Sequence, residues 1–133
     1  MRRLGLLDGI AAWGLVLLGC VHNLVAAPKI YPQINERMFW FVGTGLALWY
    51  AGALNLARRS TPTSRTTTVA SVLANLSLFG FVLAFGLFTG AIRRPEGMVL
   101  VALVATATLV SAITGGPLLV SLFKPHAAHP LPR

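Results

Sequence analysis

The chain has 133 residues, of which 56% are apolar and 11% charged, and its formal net charge is +8. Soluble domains carry roughly a quarter of charged residues, so this composition excludes an ordinary water-soluble globule and points to a membrane. The positive charge does not indicate nucleic acid, because the basic residues punctuate the apolar runs instead of gathering on one aromatic-laced face, and the single cysteine, Cys20, excludes an intramolecular disulfide or a CxxC redox pair.

Apolar stretches run over about 4–27, 38–57, 69–92 and 98–123. Each reaches the roughly 20 residues that a hydrocarbon layer of about 30 Å requires at 1.5 Å rise per residue. Lipid gives backbone groups no water to bond, which leaves helices or closed barrels, and these runs lack the alternation of a barrel strand. The expected fold class is all-α, a four-transmembrane-helix antiparallel bundle forming one domain over 1–123. Residues 124–133 are expected to be a disordered cytoplasmic tail, with His126 and His129 part of it and not a metal site. In a four-pass arrangement Arg2, Arg3, Arg58, Arg59, Arg65, Lys124 and Arg133 fall on one side and Lys29, Arg37, Arg93 and Arg94 on the other, seven against four. That asymmetry places both termini in the cytoplasm of a bacterial inner (plasma) membrane.

In the first helix Asp8, Ala12, Leu15, Gly19 and His22 share a narrow stripe, so both polar residues face inward, roughly 21 Å apart along the axis. The opening Met1-Arg2-Arg3 and the later Leu17-Leu18-Gly19-Cys20 look like a lipoprotein signal, and Leu24-Val25-Ala26-Ala27 like a cleavage site. Asp8 interrupts the apolar region too early for the first, Pro28 disfavours the second, and removal would leave three helices. The loop "APKIYPQINER" carries two prolines that disfavour helix and hold an extended connection, bringing Tyr31 and Glu36 to the surface.

The second helix opens on Phe39-Trp40-Phe41, an interfacial aromatic belt. Gly43, Ala47, Ala51 and Asn55 then recur at four-residue spacing, a stripe expected to pack against another helix or another protomer. The next loop, "RRSTPTSRTTT", is basic and polar, suited to N-capping the third helix and to anionic lipid. The third loop, "RRPEG", is a tight turn that makes helices three and four a hairpin, and Gly115-Gly116-Pro117 predicts a kink or break near the end of helix four.

Side by side, these helices gather two polar layers. Asp8, Ser71, Asn55, Asn75 and the carbonyls near Gly115 form an inner one. Asp8 there either pairs with Arg58 or handles a proton or substrate, and Asn55 and Asn75 serve as interhelical hydrogen-bonding residues. His22, Asn23, Tyr31, Glu36, Thr89, Arg93, Arg94 and Glu96 form an outer layer. The centre is dry apart from Thr44, Thr106, Thr108 and Ser111, whose hydroxyls can bond their own helices. Glu36, expected within roughly 4–6 Å of His22, would favour the imidazolium. The candidates for ligand binding or proton handling are therefore His22, Asn23, Tyr31, Glu36 and Asp8, and those for helix packing are Gly19, Gly43, Ala47, Ala51, Asn55 and Asn75. No residue set matches a catalytic constellation, a zinc site or a bis-histidine haem, so no cofactor is expected and the reading leans against an enzyme.

The segment "GCVHNLVAAPKIYPQINERMFWFVGTGLALWYAGALNLARR" resembles a class of small four-helix bacterial membrane proteins, through its late helix-one histidine, its proline-bearing loop and the "GTGLAL" and "GALNL" runs. In length and hydropathy the chain is also similar to the DoxX-like group. The resemblance implies that His22, Asn23, Gly43, Gly45 and the Asn55 region belong to one pattern, and it carries over no catalytic residue. The leading expectation is a non-enzymatic binding, assembly or accessory protein with a polar pocket at the outer face, as a homodimer or with a larger membrane partner. The alternatives are a proton-coupled transporter of the small-multidrug-exporter size, with Asp8 as its ionisable group, and a quinone- or haem-associated redox subunit. Transport requires a path joining the two layers, whereas a binding subunit requires a pocket at one end only.

Overall fold

A computed structural model describes residues 2–122 of the chain; the expected tail with His126 and His129 lies outside them. The fold is an all-α four-helix bundle. Helix α1 (Arg2–Cys20) continues through a π-helical segment (Val21–Ala26) into the short α2 (Ala27–Ile30), followed by α3 (Glu36–Ser60), α4 (Arg65–Thr89), a 3-10 turn (Ala91–Arg93) and α5 (Pro95–Leu122). Four helices, Arg3–Ile30, Glu36–Ser60, Arg65–Thr89 and Pro95–Pro117, are long and apolar enough to cross a membrane. They run up and down in a closed ring in which α1 packs on α3 and α5, and α4 packs on the same two.

Local chemistry sets the helix ends. Asn35 caps α3 by accepting the Met38 amide at 3.0 Å, and Ser64 caps α4 by accepting the Thr67 amide at 3.3 Å. Helix α4 stops at Gly90, whose φ of +71° lies in the left-handed region that an L side chain resists. Two expected boundaries move. The first helix does not give way to a loop at Ala27 but reaches Ile30. A proline ring clashes with the carbonyl four residues back, here Leu24, and that carbonyl lies in the wider π turn, which leaves Pro28 room at the start of α2. Nor does α5 break at Gly115-Gly116-Pro117, since helical backbone continues to Leu122. The two glycines place no Cβ beside the proline, and the backbone there adjusts without ending the helix.

The packing face of α3 is also rotated from the expected stripe. Gly43 and Ala47 are exposed, and the buried residues are Gly45, Leu48, Ala51, Gly52, Asn55 and Arg58. The small residues that matter are those opposite small residues of α1. A Cβ placed at Gly19 would lie 2.8 Å from the Gly45 carbonyl oxygen, and one at Gly52 would lie 2.8 Å from the Ala12 carbonyl oxygen. These two crossings bring the backbones of α1 and α3 together, as lipid-embedded helices do when no hydrophobic drive acts between them. The core above them is built from Ala11, Leu15, Leu48, Leu78, Val82 and Val104. The outer surface is apolar as well, with Leu17, Leu24, Trp40, Leu87 and Phe88 all exposed, an exterior suited to hydrocarbon.

Within one chain this geometry moves Ala47 out of the helix contacts. Gly52→Val inserts a branched side chain between the α1 and α3 backbones and is expected to cost about 1–3 kcal/mol. Ala47→Leu, on the outward face, is expected to stay within about 0.5 kcal/mol of the parent. Thermal unfolding of both variants in detergent checks this, and equal losses would place Ala47 back in a helix contact.

Candidate functional site

At the end of the bundle that holds the start of α1, polar side chains from every long helix meet in a region closed to solvent. Asp8 on α1 and Arg58 on α3 are 4% and 6% exposed, and Asn55, Ser71, Asn75 and Ser111 are completely buried. Arg58 Nη2 donates to Asp8 Oδ1 at 2.5 Å and to Asn55 Oδ1 at 3.4 Å. Its Nη1 donates to Thr114 Oγ1 on α5 at 2.7 Å. Asn55 and Asn75 exchange hydrogen bonds, Asn55 Nδ2 to Asn75 Oδ1 at 2.8 Å and Asn75 Nδ2 to Asn55 Oδ1 at 2.9 Å. Ser71 Oγ donates to Asn55 Oδ1 at 2.9 Å. Asn75 Nδ2 also reaches Ser111 Oγ at 3.0 Å and the Ala107 carbonyl at 3.2 Å. The inner layer thus joins Asp8, Asn55, Ser71 and Asn75 as expected, and its carboxylate is held in an ion pair.

Arg58 and Arg59 reach this layer differently. The Arg59 side chain lies along α1 over Gly9, where a Cβ would come within 2.8 Å of Nη1, and donates to the Gly5 carbonyl at 2.5 Å. A cavity of about 310 Å³ remains beside the pair, lined by Gly5, Asp8, Arg58, Arg59, Thr68 and Thr114 among others. Because Arg58 is buried and paired, it is not a solvated charge at the membrane surface and drops out of the topology comparison made from sequence.

The opposite end is built on the π-helical segment. An extra residue in the turn sets where His22 and Asn23 stand, and such insertions recur at functional sites. His22 lies flat on Phe41, with ring centroids 3.8 Å apart and planes 10° from parallel. Its Nε2 hydrogen-bonds the Phe41 carbonyl at 3.0 Å. Tyr31 meets Phe41 edge-on at 5.5 Å. Asn23 packs against the backbone of Gly45, where a Cβ would collide with its amide, and its Oδ1 is buried without a hydrogen-bond partner. Nearby, Trp49 Nε1 lies 3.1 Å from Cys20 Sγ.

Two sequence expectations fail here. Glu36 does not pair with His22: its carboxylate accepts from Trp40 Nε1 at 3.3 Å, one turn along the same helix, and the residue is exposed. The reason is the N-terminal position of Glu36 on α3, where its side chain follows its own helix face while His22 docks a turn deeper against Phe41. The pocket at this end is also not polar, nor formed by His22, Asn23 and Glu36. It is a cavity of about 380 Å³ lined from all four helices, chiefly by apolar residues including Leu18, Phe41, Phe81, Phe85, Leu100 and Val101. Its polar residues are His22, Thr44, Arg94 and Glu96. Of the sequence candidates only His22 lines it. The signal missed was the pair Phe81 and Phe85, four residues apart on one face of α4 and stacked at 6.0 Å. Gly97 gives the close fit around the turn, where a Cβ would strike the Ala91 carbonyl.

The two cavities do not communicate. Leu15, Leu48, Leu78, Val82 and Val104 fill the space between them with side chains at most 6% exposed. Among the described residues, no three His, Cys, Asp or Glu side chains gather where they could hold a metal ion. Comparison of the chain with protein-family models, with curated proteins and with solved structures returns no match.

The buried ion pair generates a prediction about stability. Asp8→Ala leaves the Arg58 guanidinium uncompensated in the bundle and is expected to cost about 3–5 kcal/mol, whereas replacing both residues, as Asp8→Leu with Arg58→Met, is expected to be close to neutral or stabilising. Unfolding of Asp8→Leu, of Arg58→Met and of the double variant beside the parent completes a double-mutant cycle. Additive losses in the double variant would show that the two side chains act independently.

Proposed function

We propose that the protein is a non-enzymatic binding protein of a bacterial inner membrane, crossing it four times with both termini in the cytoplasm and holding an apolar small molecule or lipid tail in the cavity at the periplasmic end. The observation that supports this reading is the cavity itself. Its volume of about 380 Å³ falls within the range of ligand pockets, roughly 300–1,000 Å³, and it combines aromatic and aliphatic walls with a few polar groups, as such pockets do. A ligand dissolved in the bilayer would reach it without crossing water. The packed core between the cavities favours a pocket open at one end over the continuous path that transport would need. The ion-paired state of Asp8 likewise gives a proton-coupled exporter no free carboxylate at this site. The basic loop around Arg59 and Arg65 fits contact with anionic lipid on the cytoplasmic side.

Filling the cavity tests the proposal. A saturating apolar ligand at about 100 times its Kd should stabilise the parent by about 2.7 kcal/mol. Val101→Trp, which places an indole in the cavity wall, should remove that gain while the protein remains folded. An undiminished ligand shift in the variant would rule the cavity out as the binding site. Orientation has its own measurement: a phosphatase reporter active only outside the cytoplasm, fused after Arg133, should give no signal, and strong activity would invert the assignment of the two ends.

A further inference from the structure

The polar groups that line the apolar cavity are mostly acceptors, and this restricts what can occupy it. A carbonyl oxygen only accepts hydrogen bonds, so the contact between His22 Nε2 and the Phe41 carbonyl at 3.0 Å requires the hydrogen to be on Nε2. In the neutral ring Nδ1 is then a bare lone pair. Nδ1 makes no hydrogen bond within the described residues and is not among the fully buried unpaired polar atoms, which leaves an accessible acceptor on a residue of the cavity wall. Stacking on Phe41 at 3.8 Å sets the plane of the imidazole, and turning the ring over would give up its hydrogen bond to the Phe41 carbonyl.

Thr44, the other short polar side chain of the wall, is committed in the same sense. Its hydroxyl hydrogen is donated to the Trp40 carbonyl at 3.3 Å, so its oxygen presents only lone pairs. Glu96 adds a carboxylate, also an acceptor when ionised, and Arg94 is the single donor side chain; both are exposed. A head group that brings only lone pairs, such as a ketone, a quinone carbonyl or an ether, would therefore leave His22 Nδ1 desolvated and facing another acceptor. An ammonium head would bring hydrogens but would carry a charge into an apolar cavity whose one carboxylate stands among exposed residues. A neutral hydroxyl meets both conditions.

We infer that the ligand of this cavity is an apolar molecule bearing a hydroxyl group, a long-chain or polycyclic alcohol or a phenol, which donates its hydrogen to His22 Nδ1 with Thr44 Oγ1 beside it. The inference rests on the binding function proposed above. Under it the reduced, hydroxyl-bearing form of a quinone-like molecule is held and the oxidised, carbonyl form is not.

The test uses the full chain in nanodiscs of zwitterionic phospholipid, titrated with 1-dodecanol and with its methyl ether, which share a chain and differ in the hydrogen. Calorimetry, corrected for partition into protein-free nanodiscs, gives the affinities, and the nitrogen-15 resonance of His22 Nδ1 reports hydrogen bonding directly. The expected result is that the alcohol binds about tenfold or more tightly than the ether and moves the Nδ1 resonance, which the ether leaves in place. In His22→Phe, which keeps an aromatic ring on Phe41 and removes the acceptor, the preference should disappear. Equal saturable binding of both probes to the parent, or an alcohol that binds without moving Nδ1, would overturn the hydroxyl inference and leave the binding function standing. Absence of saturable binding by either probe would overturn both. The resonance is read on the parent protein, so the outcome does not depend on the variant folding.

Discussion

A guanidinium buried in an apolar bundle cannot be left without a counter-charge, and the arrangement of the four helices results from how this chain meets that demand. Arg58 takes Asp8 from α1 and Thr114 from α5, and through Asn55 it is linked to Ser71 and Asn75 on α4. Each contact fixes the rotation and height of one helix relative to the others at that end. Apolar packing does not do this in a bilayer, where lipid tails satisfy a leucine as well as a neighbouring helix does. The ion pair adds little net stability, because desolvating both charges offsets most of their attraction. Its effect is on register: sliding or rotating any helix would separate a buried donor from its acceptor.

That constraint explains which features were legible in the sequence. Four long apolar runs specify the helices, because hydrocarbon leaves the backbone few other choices. Asp8, Asn55, Ser71 and Asn75 could be grouped from their depths alone, since isolated polar residues at similar height in an apolar setting have to find one another. Helix rotation was less accessible. Glycines and alanines on α3 occur at 43, 45, 47, 51, 52, 53 and 57, so spacing alone cannot choose a face, and the choice is made by Ala12 and Gly19 on the opposing helix. The cavity was least legible. Its walls are ordinary phenylalanines, leucines and valines, and a gap between them is a property of how the helices approach, not of any residue type.

The two ends are built on opposite principles, and the difference has its origin in where the polar residues fall. Nearly all the buried polar side chains lie toward the tied end, where six of them belong to one hydrogen-bonded group spanning α1, α3, α4 and α5. At the other end the helices are joined by close backbone approach, by the turn at Gly90 and Gly97, and by the aromatic stack of His22 on Phe41. The cavities differ accordingly: the one at the tied end is walled largely by charged and polar side chains and glycines, and the one at the other end chiefly by apolar side chains.

The π-helical segment connects these packing facts to chemistry. A regular α-helix through 21–26 would carry the stripe of Asp8, Ala12, Leu15 and Gly19 straight on; one added residue per turn rotates the side chains beyond it. Asn23 can then press its amide against Gly45, where any side chain would exclude it, and His22 can reach the Phe41 carbonyl with Nε2. Asn23 Oδ1 is buried there without a partner, which carries a desolvation cost. A glycine kept bare, an amide oxygen left unsatisfied and a histidine that presents Nδ1 as an acceptor all sit at that turn, so the backbone irregularity, and not the apolar wall, places the imidazole acceptor of the cavity.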